Sequence, residues 1–448
     1  MKRAFGVLAL LFMSAGYAQA APSVRSFTLK EAISMALENN NLIKAAGYRA
    51  TAAHQGIAIA SSRYYPQLLF EETFAASNAP TQTFMMKLDE SRFTQEDFEI
   101  SNLNHPGTWH DFKTGLTLQQ TLYSPSLAPA RNIAVKTAEK ELLNVDAVKQ
   151  DIAFQVLRLY LDVQRSEARF KAAEKAVTEA QEHRRLATVR SSAGTGLRSD
   201  ELRARTHLSS AEQQLITALN DRILAKMHLA ITVGLKDGDK ADIAEPLTRL
   251  SRPPQPDELT MAALENRSEL RQSRVELEKA DASLRLARSG YLPALDAFAS
   301  YQLHAKDVPF GSDNDAWMAG VTFKWHLFDG FRTNHERDRE AAGRSAAAQL
   351  LESKTKEIKF QVQESFLRRE EMGKRLEVAR HALLDAEETV RLLSRRFENS
   401  LATMVELLDA QTALNQARAN LVDTEANYAL AGGRVYYAAG IFLKEMLK

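Results

Sequence analysis

The sequence contains no cysteine among its 448 residues. This absence excludes disulfides, thiolate metal centres, cysteine nucleophiles and the attachment of a lipid to a cysteine. An excess of charge is absent as well, because 58 lysines and arginines face 57 aspartates and glutamates. The balance gives no indication of a nucleic-acid partner, for which a basic surplus is typical.

Long hydrophobic runs are also missing from most of the chain. Near the N-terminus, Lys2 and Arg3 precede an apolar run and then the triplet Ala18-Gln19-Ala20. This arrangement is typical of a secretory signal peptide over residues 1–20, with cleavage before Ala21. Further along, no stretch of about 18 or more apolar residues occurs, so any membrane crossing would have to use strands.

The residues form no familiar catalytic pattern either. The 10 histidines are scattered, and none stands in the spacing of a metal-ligand pair. A phosphate-binding loop and the glycine run of a dinucleotide site are absent too. We therefore expect no enzymatic activity, no cofactor and no metal centre.

What the chain has instead is long, uninterrupted helical sequence. Residues 131 to 193 contain neither glycine nor proline, and small or apolar residues recur there every seven positions. This heptad row predicts a very long helix that packs along a coiled-coil seam with neighbouring helices. The row consists of Val145, Ile152, Leu159, Ser166, Ala173, Ala180 and Ala187. A second pattern, Thr28-Leu29-Lys30-Glu31, predicts a capping box that opens a helix reaching about Tyr64.

Alternating apolar and polar residues predict four strands, near residues 67–76, 112–123, 294–303 and 316–328. Trp317 and Trp325 fall on one face of the last strand, about 27 Å apart at about 3.4 Å per residue. That separation fits interfacial aromatics on either side of an apolar membrane band. An ordinary sandwich strand remains the alternative for this pattern. The polar stretch from Ser77 to His110 shows no clear period.

The sequence also repeats itself. Ala36-Leu37-Glu38-Asn39 returns as Ala263-Leu264-Glu265-Asn266, and Leu122-Tyr123 corresponds to Leu327-Phe328. We predict two structural repeats, residues 21–245 and 257–448, joined by a proline-rich linker over 246–256. Each repeat would run helix, strand, strand, long helix, helix. Because a spanning barrel needs about eight strands, a chain with four should oligomerise.

Two stretches resemble a known family. Residues 192–202, which read SAGTGLRSDEL, and residues 401–410, which read LATMVELLDA, are similar to the two periplasmic tip turns of TolC-type outer-membrane efflux proteins. The resemblance implies a mainly α fold with membrane β structure. Three copies would form a barrel of twelve strands in the outer membrane and a long α-helical barrel across the periplasm. It also implies a periplasmic adaptor protein and an inner-membrane transporter as partners.

The same resemblance implies where an aperture would lie. Glu406 and Asp409 match the acidic ring of the family's periplasmic opening, and Asp200 matches an acid that helps to hold it shut. Glu406 has an alternative interpretation, because Thr403-x-x-Glu406 is a capping-box pattern. Capping does not explain Asp409, which lies three residues further on the same helix face.

The tip turns are candidate contacts for the adaptor, or alternatively they only turn the chain. In the first turn these positions are Gly194, Thr195, Gly196 and Leu197; in the second they are Asn399, Ser400, Leu401 and Ala402. Asn399-Ser400 replaces the glycine usual in the family. Asparagine tolerates the left-handed conformation, so the sequence still predicts a turn there.

Two functional interpretations follow from the sequence. The first is a trimeric outer-membrane channel, in contact with membrane lipid, that passively conducts substrates delivered by the transporter and the adaptor. The second is a soluble periplasmic coiled-coil scaffold without a pore. An exported enzyme is a weaker third interpretation, because no catalytic site emerges.

Overall fold

The structure is a computed structural model that describes residues 24–236, 239–247 and 250–448. The predicted signal peptide lies outside the described residues. Contacts divide the chain into two compact units. Of the described residues, the helical unit comprises those from 24 to 43, from 149 to 259 and from 362 to 448, and the sheet unit comprises Lys44–Val148 and Thr260–Gln361.

Helices make up most of the described chain. In chain order the elements are β1 (Val24–Phe27), α1 (Leu29–Asn39), α2 (Asn41–Ser62), β2 (Gln67–Ser77), α3 (Pro80–Asp89), a 3-10 turn (Gln95–Phe98), α4 (Ile100–Asn104), β3 (Trp109–Tyr123), α5 (Leu127–Ser192), α6 (Arg198–Val233), β4 (Lys240–Ile243), α7 (Pro256–Asn266), α8 (Ser268–Ser289), β5 (Ala294–Ala305), β6 (Asn314–Lys324), α9 (Arg332–Glu398), α10 (Met404–Ala438) and α11 (Phe442–Met446).

The two longest helices are α5 with 66 residues and α9 with 67. Six of the seven heptad positions in α5 are buried, and the seventh, Ala173, is half-buried. The helix begins at Leu127, four residues before the predicted start. Pro129 does not prevent this, because the first turn of a helix leaves its N–H groups without intrahelical partners anyway.

The predicted N-terminal helix is divided in two. Thr28 and Glu31 form the expected capping box at its start, but the continuous helix to Tyr64 is wrong. Asn40 interrupts it: its side-chain amide donates to the Thr232 carbonyl at 2.9 Å, and its Oδ1 accepts from the Leu42 N–H at 2.8 Å. A buried hydrogen bond to a residue 192 positions later in the sequence thus causes the break between α1 and α2.

The sheet unit contains a four-stranded antiparallel sheet in the order β2-β3-β5-β6. The prediction that the fourth strand continues to Phe328 is wrong, because β6 ends at Lys324. Lys324 pairs with Ala294, the first residue of β5, so later residues have no strand beside them. The Trp325 indole N–H donates instead to the Tyr291 carbonyl at 3.1 Å.

Two features were not predicted. The polar stretch after β2 is folded into α3, the 3-10 turn and α4. In the helical unit, β1 pairs in parallel with β4, and Tyr160 donates its hydroxyl to the Glu245 carbonyl at 2.5 Å just beyond β4.

Candidate functional site

The first tip turn, between α5 and α6, has glycine at two places where it is favoured. Gly194 has a φ of +73°, in the left-handed region. The N–H groups of Thr195 and Gly196 both donate to the Arg190 carbonyl, at 3.0 and 2.9 Å. A Cβ on Gly196 would lie 2.9 Å from the Arg190 Cβ, so a larger residue would displace the turn from the helix end. Leu197 follows as the N-cap residue of α6 and is exposed.

The second tip turn, between α9 and α10, has the same hydrogen bond without a glycine. Ser400 takes the left-handed conformation, with a φ of +59°. The Leu401 N–H donates to the Arg396 carbonyl at 2.7 Å. Asn399 does not supply the left-handed residue that the sequence suggested; its side-chain amide donates to the Arg395 carbonyl at 2.8 Å. An asparagine bonded back to the preceding turn stays on the helical side, so the next residue must turn the chain.

Arg190 connects the two tip turns, and sequence reasoning missed it. Its guanidinium donates to the Phe397 carbonyl at 2.8 Å and to the Ser400 hydroxyl. It also lies 4.6 Å from the centre of the Phe397 ring. A cation in the last turn of α5 is favoured by the helix dipole as well. That position at the helix end is the signal that could have drawn attention to it.

An apolar cluster lies behind the tip turns. Its buried members are Ala187, Ala204, Phe397, Met404, Leu407 and Leu408, and Ala402 packs on it half-buried. Beside it is a cleft of about 410 Å³ lined by residues of both turns, including Asp200. The alanines allow the helix axes to approach closely, so the two turns sit on a shared core.

The candidate acids differ in their surroundings. The Glu406 carboxylate accepts from the Thr403 N–H at 2.6 Å and from the Thr403 hydroxyl at 2.9 Å. These hydrogen bonds, with Arg396 nearby, lower the pKa of Glu406. Glu406 is therefore a helix cap in this chain, as one of the two interpretations held. Asp409 is exposed three residues further along, and Asp200 is half-buried in the first turn of α6.

A pair of histidines lies on α5 and α6 among the helices that lead to the tips. His183 is hydrogen-bonded to Gln411, which donates to Glu179 at 2.6 Å. The Nδ1 atoms of His183 and His207 are both buried, and neither has a hydrogen-bond partner within the described residues. Burial lowers the pKa of both imidazoles, and the charge of His183 lowers that of His207 further. Scattered single histidines gave no sequence signal for this pair.

The sheet has two chemically different faces. Across the ladder, Phe70, Leu116, Tyr301 and Trp317 form one row, and Leu68, Leu118, Ala299 and Ala319 form the next. We call this the apolar face; it also carries Phe74, Phe112, Leu295, Ala297, Val321 and Phe323. The large apolar side chains of these two rows, with Val321 and Phe323, are between 42 and 77 % exposed. A monomeric soluble protein rarely exposes such a continuous apolar surface.

The intervening residues of each strand point to the opposite side of the sheet, which we call the polar face. Most of its residues are polar: Glu71, Thr73, Asp111, Lys113, Thr117, Gln119, Thr121, Asp296, Ser300, Gln302, His304, Asn314, Thr322 and Lys324. Leu69, Phe298 and Met318 are large apolar side chains on the same face. Thr121 donates its hydroxyl to Asp296 across the strands at 2.8 Å. Trp317 is 77 % exposed on the apolar face, and Trp325 is exposed just beyond the end of β6.

None of the helices in the described part of the chain combines the length and apolar character needed to span a membrane. Within residues 24–236, 239–247 and 250–448, no group of three or more histidines and acids is arranged to hold a metal ion.

Comparison with known proteins gives consistent matches. A sequence model described as outer membrane efflux protein matches residues 32–235 and 259–440. Outer membrane protein TolC of Escherichia coli is 24 % identical over 419 residues, which are 88 % of this chain and 78 % of TolC. TolC of Vibrio cholerae is 22 % identical, covering 96 % of this chain and 94 % of its own.

Solved structures agree on the fold. A CusC structure aligns with a TM-score of 0.78 and 17 % identity over 95 % of each chain. The Campylobacter jejuni CmeC outer membrane channel aligns with a TM-score of 0.77 and 16 % identity, over 92 % of this chain and 86 % of CmeC. These matches confirm the family resemblance inferred from the tip turns. The match to the outer membrane efflux protein model favours the outer-membrane channel over the soluble scaffold.

Proposed function

We propose that this chain, which belongs to the outer membrane efflux protein family, is one subunit of a trimeric outer-membrane exit duct. The duct conducts substrates passively, after an inner-membrane transporter and a periplasmic adaptor deliver them. The observation that carries the proposal is the four-stranded sheet with one exposed apolar face and one polar face. Lipid would cover the apolar face, and water in the channel would cover the polar face.

The boundaries of the apolar face support a membrane span. Glu72 and Asp315 lie in the row beyond Trp317 and mark one polar limit of the proposed apolar band, and Phe74 and Phe112 lie one row further, outside that band. Glu72 accepts from the Thr114 hydroxyl at 2.5 Å, so its charge is held at this limit. Toward the other end of the strands, Trp325 directly follows the last residue of β6. At about 3.4 Å per residue, the distance along the chain from Trp317 to Trp325 is about 27 Å before tilt, close to the ~25 Å apolar band of outer-membrane barrels.

The sheet edges support an oligomer. The outer edges of β2 and β6 pair with no other strand in the part of the chain that the structure describes. Four consecutive antiparallel strands leave β2 and β6 running in opposite directions. The β6 edge of one copy can therefore pair in antiparallel fashion with the β2 edge of the next, so identical copies can close a ring. Three copies are the number that the family resemblance implies.

The duplication belongs to the same proposal. The paired helices α5 and α9 end at residues 192 and 398, and α6 and α10 begin at residues 198 and 404. Both pairs are 206 residues apart, and so are the left-handed residues Gly194 and Ser400. This common offset supports two copies of one helix-strand-strand-helix-helix unit, with residues 246–256 as the linker.

The tips would then face the adaptor, and the acids would line the aperture. Gly194 to Leu197 and Asn399 to Ala402 are turn residues and, apart from half-buried Gly196 and Ala402, exposed. Asp409 is exposed and serves no cap, so it is the stronger candidate of the acidic pair. Glu406 can supply charge as well, because capping uses its carboxylate without burying it.

The proposal is tested by purifying the protein from outer membranes in detergent. Mass photometry should give the mass of three chains, and the same sample in a planar bilayer should form ion-conducting channels. A monodisperse folded monomer, or recovery of the protein in the osmotic-shock fraction, would contradict the channel and favour the soluble scaffold.

A further inference from the structure

The segment between β2 and β3, residues 80–104, is folded rather than loose. It contains α3, the 3-10 turn and α4. Phe93 packs edge-on against both Phe84 and Phe98, with ring centres 4.6 and 5.0 Å apart. Lys87 and Asp97 form an ion pair at 2.5 Å that joins α3 to the 3-10 turn. The segment is therefore a small folded body with its own internal contacts.

This body lies on the polar face of the sheet. Trp109, Asp111 and His304 all belong to that face near the end of the strands. The Trp109 indole N–H donates to the Glu90 carboxylate at 2.9 Å, and the Lys87 ammonium lies 4.6 Å from the centre of the Trp109 ring. On the apolar face at the same level, Phe74 remains 58 % exposed. The segment thus covers one face only.

The contact contains buried charge. The side chains of Glu90, Asp111 and His304 are 0, 8 and 5 % exposed, and His304 Nδ1 lies 2.9 Å from Asp111. Glu90 and Asp111 each keep one buried oxygen that has no hydrogen-bond partner among the described residues. Burial raises the pKa of Glu90, and the nearby Asp111 charge raises it further. Burying such groups costs free energy, so an apolar contact would hold the segment at a lower cost in folding free energy.

A second set of contacts ties the segment to the turn between β5 and β6. The Arg92 guanidinium donates to Asp313 at 2.9 Å and lies 3.4 Å from Asp307. The Asn314 amide donates to the Asp89 carbonyl at 2.8 Å. These bonds are more exposed than the Glu90 contact. They form a second, polar attachment at the edge of the segment, which we call the latch.

We propose that residues 80–104 are a lid over the outer mouth of the channel, held on the polar face by the Glu90–Trp109 contact and latched by Arg92. This proposal rests on the proposed function, in which the polar face lines the channel. The chain direction supplies the outer position: α2 precedes β2 and α5 follows β3, so the segment lies at the strand ends away from the helices. Three copies would narrow the mouth from inside, whereas a loop on the apolar face could not.

The test measures how fast a reagent outside the cell reaches a cysteine placed below the lid. The native chain has no cysteine, so only the introduced thiol can react. Gln119→Cys places a thiol on the polar face, about 27 Å along β3 from Asp111 at about 3.4 Å per residue. Intact cells are treated with a maleimide on a polyethylene glycol too large for porins. Replacing residues 80–104 with a short Gly-Ser turn should raise the labelling rate about tenfold or more.

Arg92→Ala, which keeps the folded segment, should raise the rate by a smaller factor, and Glu96→Ala on the same segment should not change it. Asn78→Cys, exposed beside the segment, should label rapidly in every background. Equal labelling of Gln119→Cys with and without the segment would overturn the lid and leave the channel standing. Labelling of Asn78→Cys only after the outer membrane is broken would overturn the outward orientation itself.

Discussion

At the scale of single residues, the capping role of Glu406 determines which substitution can test the aperture. Alanine would remove the cap and the charge together. Glutamine also fits the last position of a capping box, so Glu406→Gln keeps the Thr403 contact and removes only the charge. Asp409→Asn is the matching neutral change at a position without a capping role.

We predict that the channel prefers cations and is blocked by divalent ions added from the periplasmic side, because three copies of each acid would surround one axis. The double variant Glu406→Gln with Asp409→Asn should weaken that block about tenfold or more in planar bilayers. Asp385→Asn, which neutralises an exposed acid on α9, is the control. Undiminished block in the double variant would leave Glu406 a helix cap and place the constriction elsewhere.

The two half-buried histidines, whose Nδ1 atoms are buried, predict a pH dependence of stability. The pKa values of His183 and His207 lie below the ordinary 6.5, chiefly because of burial. The unfolded chain therefore binds protons first as the pH falls, so the stability that depends on neutral imidazoles is complete above about pH 6.5 and is lost below it. The groups around the pair are Glu179 and Glu182 on α5 and the neutral Gln411 on α10.

Thermal unfolding should therefore shift downward by a few degrees between pH 7 and pH 5. The double variant His183→Gln with His207→Gln should have a smaller shift. His54→Gln, at an exposed position on α2, should keep the full shift. If the unfolding temperature of the double variant falls as much between pH 7 and pH 5 as that of the wild type, protonation of this pair does not destabilise the helices.

At the scale of elements, the alanine rows set how closely the helices approach. Ala211 is 5 % exposed and packs with Val177, Ala180 and Leu208 between α5 and α6. Ala211→Leu should overpack this seam and cost about 1–3 kcal/mol of unfolding free energy. Denaturation in guanidinium would measure the loss. Ala413→Leu, at an exposed position on α10, is the control and should hardly change the unfolding free energy. Equal stability of the two variants would show that Ala211 does not lie at a helix interface.

Elements with a strong local period could be predicted from the sequence. The heptad row of α5 fixes its seam because burial there repeats with the helix itself, and β2, β3 and β5 contain the residues whose alternation indicates strands. What the sequence could not give depends on distant partners. Asn40 breaks a helix through a bond to Thr232, and Arg190 bonds across to Phe397. Neither partner has a periodic signature.

The same limit applies to the candidate site. The tip turns could be located by their resemblance, yet which residue turns left-handed could not, because Asn399 bonds to its own helix and leaves that role to Ser400. The polar stretch after β2 shows no period, because a few aromatic and charged contacts, with one another and with the sheet, hold its short helices in place of an amphipathic pattern. Its position on one face follows only from side chains such as Trp109 and Glu90.

At the scale of the whole molecule, a substitution by lysine should have different effects on the two faces of the sheet. Val321 is exposed in the middle of the apolar face, and Thr322 is exposed next to it on the polar face. In a lipid-embedded barrel, Val321→Lys places an ammonium group in hydrocarbon at a cost of about 2–4 kcal/mol, whereas a lumen-facing lysine meets water.

We therefore predict that Val321→Lys reduces the amount of trimer in isolated outer membranes, and that Thr322→Lys does not. Thr322→Lys should instead shift the ion selectivity of the reconstituted channel toward anions, because it adds positive charge to the wall. Membrane fractionation with quantitative immunoblotting measures the first effect, and reversal potentials in a salt gradient measure the second. A soluble sheet would tolerate both exposed lysines equally. Equal trimer levels for the two variants would thus contradict the assignment of lipid and water to the two faces.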